Sequence, residues 1–348
     1  MRPVVQRLMR VPTFAIILAV AGAVALAAEI TGAGATFPYP VYAKWAEAYE
    51  KETGNSLSYQ SIGSGVGIKL IQSKTVTFGA SDMPLKGDRL AKDGLIQFPA
   101  VMGGVVMAVN LEGVGPGQLV LDGPTIANIY LGQIKTWDDP TIQALNPTLK
   151  LPSQPIAVVH RRDGSGTTFV FTDYLSKVSA EFKARLGSDT EIQWPVGVGA
   201  KGSEGIATSV SQTKGAIGYA EYAYVKYHKL AHANMINAAG ETVAPEFKSF
   251  QAAAANANWS SAPGFGIILT NQPGSESWPI ASASFILMHK KSADAAASRE
   301  ALKFFAWAYD KGNDIAASLD YVPMPKSVAE MIKTEWAQIV GPDGKPVM

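Results

Sequence analysis

The chain reads as an α/β protein of two domains, and three observations carry that reading. Apolar strand-like runs alternate with amphipathic helical stretches from residue 28 onward. Its glycine- and hydroxyl-rich segments fall between a strand and the helix behind it, where parallel sheets turn. Finally, 348 residues that are 47% hydrophobic and only 17% charged suffice for two ordinary cores, and exclude a disordered chain or a coiled coil.

A leader precedes that rhythm. Arg2, Arg7 and Arg10 stand before an apolar run over 14–26, and Ala25-Leu26-Ala27 supplies a small-x-small cleavage pattern, which reads as a signal peptide over 1–27. The run is shorter than the ~20 apolar residues that span a bilayer, so a cleaved leader is preferred to a membrane anchor. No second stretch of spanning length follows. The leader holds three arginines and no acid, so its loss turns a formal charge of +1 into −2, with 27 Lys+Arg against 29 Asp+Glu. A near-neutral chain lacks the basic field that gathers nucleic acid. With no cysteine, disulfides, zinc-thiolate sites, thiol nucleophiles and a lipid-modified N-terminal cysteine are all excluded.

In order along the chain, 29–32 is a short strand entering a glycine loop. A helix follows over 39–53, with Val41, Tyr42, Trp45 and Tyr49 on one face and Gly54 to stop it. A strand over 57–62, a helix over 65–74 carrying Ile68 and Ile71, and a strand over 76–80 complete a βαβαβ opening. An apolar strand covers 103–110, and the turn-rich stretch over 112–123 is where the chain crosses to its second unit. That unit has a helix over 125–131, a buried strand over 156–160, a helix over 167–175 and a strand over 216–219. Near the end come a strand over 285–289 and helices over 298–309 and 327–339. The Ala/Asn stretch over 251–258 reads as an exposed helix end or loop.

Four loops concentrate the chemistry: Thr31-Gly-Ala-Gly-Ala-Thr36-Phe37-Pro38, Ile62-Gly-Ser64-Gly65, Phe78-Gly-Ala-Ser81-Asp82, and Arg161-Arg162-Asp163-Gly164-Ser165-Gly166-Thr167. At the carboxyl ends of strands such loops receive free N–H groups and the positive dipole end of the following helix, a geometry that holds anions. Hydroxyls add donors, and an arginine offers a two-pronged fork to a tetrahedral oxyanion. Each loop also has a plainer reading: Ser and Thr before a helix are commonly caps, and Arg-x-Asp is commonly a surface ion pair. Asp82 is the odd member. A carboxylate suits an anion site only if the anion brings its own proton to donate, which a fully deprotonated ion such as sulfate cannot do. Otherwise Asp82 is a cap or turn residue ahead of Met83-Pro84.

Rival motifs are weaker. Gly197-Val-Gly199-Ala-Lys-Gly202, with Glu221 19 residues beyond, matches a dinucleotide fingerprint on paper. It lies mid-chain in an exported protein, so a glycine turn before a helix around 205–210 is preferred. His228 and His232 have i, i+4 spacing without a third ligand and read as solvent-facing; Trp194-Pro195 and Trp278-Pro279 read as packing and turn residues. Neither a Walker A sequence nor G-x-S-x-G is present.

Taken together, Ile-Thr-Gly-Ala-Gly-Ala-Thr-Phe-Pro (30–38) with Val-Tyr-Ala-Lys-Trp (41–45), Phe-Gly-Ala-Ser-Asp (78–82), the Val-Leu-Asp-Gly-Pro to Trp-Asp-Asp segment (120–139), Arg-Arg-Asp-Gly-Ser-Gly-Thr (161–167) and Gly-Ala-Ile-Gly-Tyr (215–219) resemble the periplasmic phosphate-binding proteins of high-affinity phosphate ABC transporters. The likeness runs over essentially the whole mature chain. It departs at His160 and Arg162 on either side of Arg161, and at Ser64-Gly65-Val66-Gly67, where many relatives have a further Ser or Gly.

The resemblance implies a two-lobed periplasmic-binding-protein fold of type II, each lobe a mainly parallel sheet flanked by helices, with the ligand in the interlobe cleft. Lobe I is expected over 28–110 plus 284–348 and lobe II over 111–283. Phosphate is expected on Thr36, Phe37 through its backbone N–H, Ser64, Asp82, Arg161, Ser165, Gly166 and Thr167, with Asp163 orienting Arg161. No cofactor, metal or catalysis is expected, and no nucleic acid. The implied partners are inorganic phosphate and the permease subunits of the transporter, for a monomer soluble in the periplasm. The alternatives on the same anion site are a secreted phosphatase and a surface phosphate scavenger.

Overall fold

The computed structural model describes residues 30–255 and 257–348, so the expected leader over 1–27 lies outside the described residues. The βαβαβ opening is present: strand Ile30–Gly34, helix Tyr39–Thr53, strand Leu57–Ser61, helix Ser64–Gln72 and strand Phe78–Ser81, the first strand parallel to the other two. Val41, Tyr42, Trp45 and Tyr49 make the buried stripe of the first helix, which ends at Gly54 in the left-handed conformation. The Trp45 indole donates to the Gly312 carbonyl at 2.9 Å and so fastens this helix to the C-terminal segment.

The main sheet runs Leu57–Ser61, Ile30–Gly34, Phe78–Ser81, Ala281–His289, Leu95–Val109, Ala216–Glu221, Ala157–Arg161, Val198–Ala200. Its outer pairs are parallel, as βα units require. Ala281–His289 is antiparallel to both of its neighbours, and Leu95–Val109 is antiparallel to Ala216–Glu221. Two parallel halves therefore meet through an antiparallel middle. Each half has its own aromatic core, Tyr42, Tyr59, Phe78, Phe98 and Phe305 in one and Tyr130, Phe171, Trp194 and Tyr219 in the other.

Leu95–Val109 joins the halves. Up to Gly104 it pairs with Ala281–His289, and from Val105 with Ala216–Glu221. All 15 of its residues are buried, and it begins at Leu95 rather than at the expected Gly103. Pro99 and the Gly103-Gly104 pair weaken a strand pattern read locally, yet both are accommodated. Pro99 lies opposite Phe285 beside a register shift, and a Cβ on Gly104 would come 2.1 Å from the Phe250 ring.

Three other expectations change. The alanine tract belongs to helix Phe247–Ala255, whose Phe250, Ala253 and Ala254 are buried against the central strands. His228 faces Glu204 at 2.9 Å, and half-buried His232 meets Tyr222 edge-on, so neither simply faces solvent. The helix expected behind the glycines of 197–202 is present as Gly202–Gln212, but Val198–Ala200 ahead of it is a short strand instead of a turn, which puts the last glycine at a helix start. The tryptophans are packing residues as expected: Trp278 is fully buried with its indole on the Val105 carbonyl, and Trp194 stacks on His160.

Candidate anion-binding cleft

Loops from both halves of the sheet converge where Arg161, Asp82 and the starts of the helices at Tyr39, Ser64 and Gly166 meet. The approach is close enough to demand glycine. The Gly65 N–H donates to the Gly164 carbonyl across the cleft at 2.9 Å, and a Cβ on Gly166 would lie 2.5 Å from Ser64 Oγ and 2.7 Å from Asp82 Cβ. Gly63, at φ +98, leaves room for Asp163 in the same way.

Of the side chains expected at the site, Thr36, Phe37, Ser64, Asp82, Arg161, Ser165 and Thr167 are buried, and Asp163 is partly exposed. Ser64 Oγ accepts from the Asp82 N–H at 3.2 Å. Asp82 Oδ1 accepts from the Ser284 hydroxyl at 2.8 Å, and its Oδ2 is 3.4 Å from the Thr167 hydroxyl. Ser165 caps helix Gly166–Val178 by accepting from the Thr168 N–H at 3.0 Å, which leaves its own hydroxyl proton free to donate. Thr36 Oγ1 lies 3.0 Å from Ser203 Oγ. The carbonyls of Thr36 and Phe37 accept from the hydroxyls of Tyr224 and Tyr321 at 2.7 and 2.6 Å.

Arg161 is locked. Its Nε and Nη2 meet Asp163 Oδ1 and Oδ2 at 2.8 and 2.5 Å, its backbone N–H donates to Tyr219, and Tyr219 is 2.7 Å from Thr168 Oγ1. Two of the five guanidinium N–H donors are thereby used, leaving three for a ligand. Asp163 also accepts from the Gly202 N–H at 3.0 Å. Burial works against the Asp163 charge, but the Arg161 fork and that N–H outweigh it and hold the carboxyl below its usual range. Asp82 goes the other way: burial pushes it up to about 7 against the opposing pull of Ser284, Arg161 and Thr167.

The result is a buried ring of hydroxyl, guanidinium and helix N-terminal donors around one acceptor, a carboxyl poised near neutrality. Such a ring holds a tetrahedral oxyanion, and its acceptor suits an anion that still carries a proton. A pocket of about 130 Å³ lies at its edge, lined by Thr36, Ser61, Asp163, Gly202, Ser203 and Tyr224, and of the expected site residues touches Thr36 and Asp163 alone. Grooves of about 630 and 1010 Å³ elsewhere have greater volume, but neither is lined by Asp82, Arg161 or the loops that meet them.

Ser284, Ser203, Tyr224 and Tyr321 were not singled out in the sequence, and Gly202 and Tyr219 were quoted in motifs without being assigned to the site. A signal existed for two of them, since Gly202-Ser203 closes the glycine motif and opens a helix. Ser284 lies inside an apolar strand and leaves no local mark.

Residues 19–311 match the family model described as a PBP superfamily domain. A phosphate-binding protein PstS of Haemophilus influenzae is 54% identical over 312 residues, covering 90% of this chain and 93% of that protein. The chain belongs to the PstS family. A second PstS, of Pasteurella multocida, is 52% identical over 92% of this chain and 93% of that protein. The PstS fold also extends to distant chains: a solved human phosphate binding apolipoprotein matches with a TM-score of 0.71 at 20% identity, over 88% of this chain and 94% of that one.

Proposed function

We propose that this chain captures inorganic phosphate between its two lobes and delivers it to the permease of an ABC transporter for import. Thr36, the Phe37 N–H, Ser64, Arg161, Ser165, Gly166 and Thr167 donate to the anion, and Asp163 keeps Arg161 aimed. Asp82 accepts the ligand's proton. The lobes are 28–110 with 284–348, and 111–283, and closure is a twist of the strand Leu95–Val109 between them. The protein is exported, loses residues 1–27, works as a monomer in the periplasm and has no catalysis of its own.

One observation carries this reading: Asp82, a single buried carboxyl among donors, with one oxygen occupied by Ser284 and the other left toward Thr167. Phosphate at neutral pH always retains a P–OH to give that oxygen, and sulfate has none. A phosphatase finds less support. Its nucleophile would need an activating base, and the histidine nearest in sequence, His160, is stacked on Trp194 with Nδ1 at the Arg161 carbonyl. Isothermal titration with phosphate, arsenate and sulfate tests the proposal. Tight heat-producing binding of phosphate with little for sulfate is expected, and equal binding of the two would overturn it.

A further inference from the structure

Glu221 ends the strand Ala216–Glu221 opposite Val105 and is fully buried. Its Oε2 accepts from the Ala223 N–H at 2.9 Å and lies 2.7 Å from the Tyr321 hydroxyl; its Oε1 has no partner. The same Tyr321 hydroxyl is 2.6 Å from the Phe37 carbonyl. That geometry poses a proton count. A hydroxyl carries one proton, and both a carbonyl and an ionised carboxylate can only accept. With one proton among three oxygens, the two short contacts either share it in a weak three-centre bond or leave one a bare meeting of lone pairs. A proton on Glu221 Oε2 satisfies both: the acid donates to Tyr321, and Tyr321 donates to Phe37.

We propose that Glu221 is a neutral carboxylic acid in the folded protein and acts, through Tyr321, as a positioning residue for the Thr36-Phe37 loop. Its surroundings agree. Tyr222 and Tyr224 face it from the following helix, and Tyr321 and Asp320 from the C-terminal segment; Lys226, the neighbouring cation, is taken up by Asp320 at 2.5 Å. Burial pushes the Glu221 carboxyl well above the ordinary range, with Asp320 adding to the effect, and the Tyr321 hydroxyl and Ala223 N–H only partly oppose it. Tyr224 holds the Thr36 carbonyl while Tyr321 holds that of Phe37, so two separate chain segments grip the loop whose N–H meets the ligand.

The inference rests on the phosphate reading of the cleft, yet its first test needs no phosphate. In the infrared difference between wild type and Glu221→Gln at pH 7, the C=O stretch of a protonated acid is expected and should persist into the alkaline range. A carboxylate band in its place overturns the proposal. Tyr321→Phe, which keeps Glu221 and removes its acceptor, should shift that acid band, and an unshifted band overturns the relay. In phosphate calorimetry, Tyr321→Phe and Glu221→Ala should each weaken binding about tenfold, the worth of one buried hydrogen bond. Glu221→Gln, whose amide N–H donates in place of the acid, should lose far less. Wild type should also weaken at alkaline pH as Glu221 ionises, a fall that Glu221→Gln abolishes. Equal losses for Gln and Ala overturn the positioning role. A wild type that shows the acid band but takes up no phosphate sinks the reading of the cleft instead.

Discussion

Asp82 and Asp163 are two acids of one cleft, both influenced by Arg161, and they are shifted in opposite directions. Asp163 meets the guanidinium at 2.5 and 2.8 Å and is held ionised. Asp82, only 2% exposed, has hydroxyl partners and feels Arg161 from further off, and it rises to about 7. Burial is common to both; a bonded cation is what separates them. In the proposed site one carboxylate aims the arginine and the other is left as an acceptor.

Removing the shared cation should have the largest effect. Arg161→Ala strips charged donors from the ligand and leaves Asp163 unpaired, so phosphate should weaken on the order of a thousandfold, while exposed Arg162→Ala stays within a few-fold. Calorimetry of the two variants checks this, and similar losses would mean that the wrong arginine has been chosen.

Asp82→Asn comes next, and here the two acids part. Sulfate should gain on phosphate by tenfold or more. In wild type the same discrimination should erode as pH falls below about 7 and Asp82 takes a proton from water, becoming a donor. Competition titrations from pH 5 to pH 8 read both effects, and a selectivity flat with pH would contradict this role for Asp82.

Stability should separate them with opposite signs. The folded pKa of Asp82 is raised, so its contribution is most favourable below about 4, declines as pH rises and is fully lost above about 7. Asp82→Asn should therefore stabilise the ligand-free protein at pH 8, by at most about 4 kcal/mol, and not at pH 4. The folded pKa of Asp163 is depressed, so its stabilisation is present above about 4 and fades in acid. Asp163→Asn should lower the melting temperature at pH 7, with the gap closing toward pH 3, and weaken phosphate without altering its preference over sulfate. Thermal melts across pH decide between these signs. The smallest effect belongs to Ser284→Ala, which removes a hydroxyl donor from Asp82 and should move the pH dependence of selectivity upward with only a modest loss of affinity.

The sequence was most informative where chemistry and chain order coincide. Thr36, Ser64, Arg161 and Ser165 each stand in a short loop before a helix, so residue type, glycine spacing and the following amphipathic stretch all point to one place. Asp82 was visible because a carboxylate among donors is anomalous. Ser284 was not, since it approaches Asp82 from a strand 202 residues away and its neighbours in sequence are apolar. The long strand Leu95–Val109 was cut short because proline and paired glycine are local breakers, and only its two sets of neighbours, themselves distant in sequence, explain their presence. The tyrosines that grip Thr36 and Phe37 were hidden for the same reason: an apolar ring predicts burial but says nothing of where its hydroxyl will land.

The glycine contact between Gly65 and Gly164 has a mechanical consequence. A Cβ on Gly65 would lie 3.1 Å from Gly164 Cα, so the two halves come to rest backbone on backbone, without a compressible side chain between them. In the closure proposed above, that contact is a hard stop, like the jaws of a caliper, and the gap at the stop is a fixed gauge. An anion too bulky for the gauge would leave the jaws ajar, so size could be rejected by incomplete travel even where every donor is satisfied.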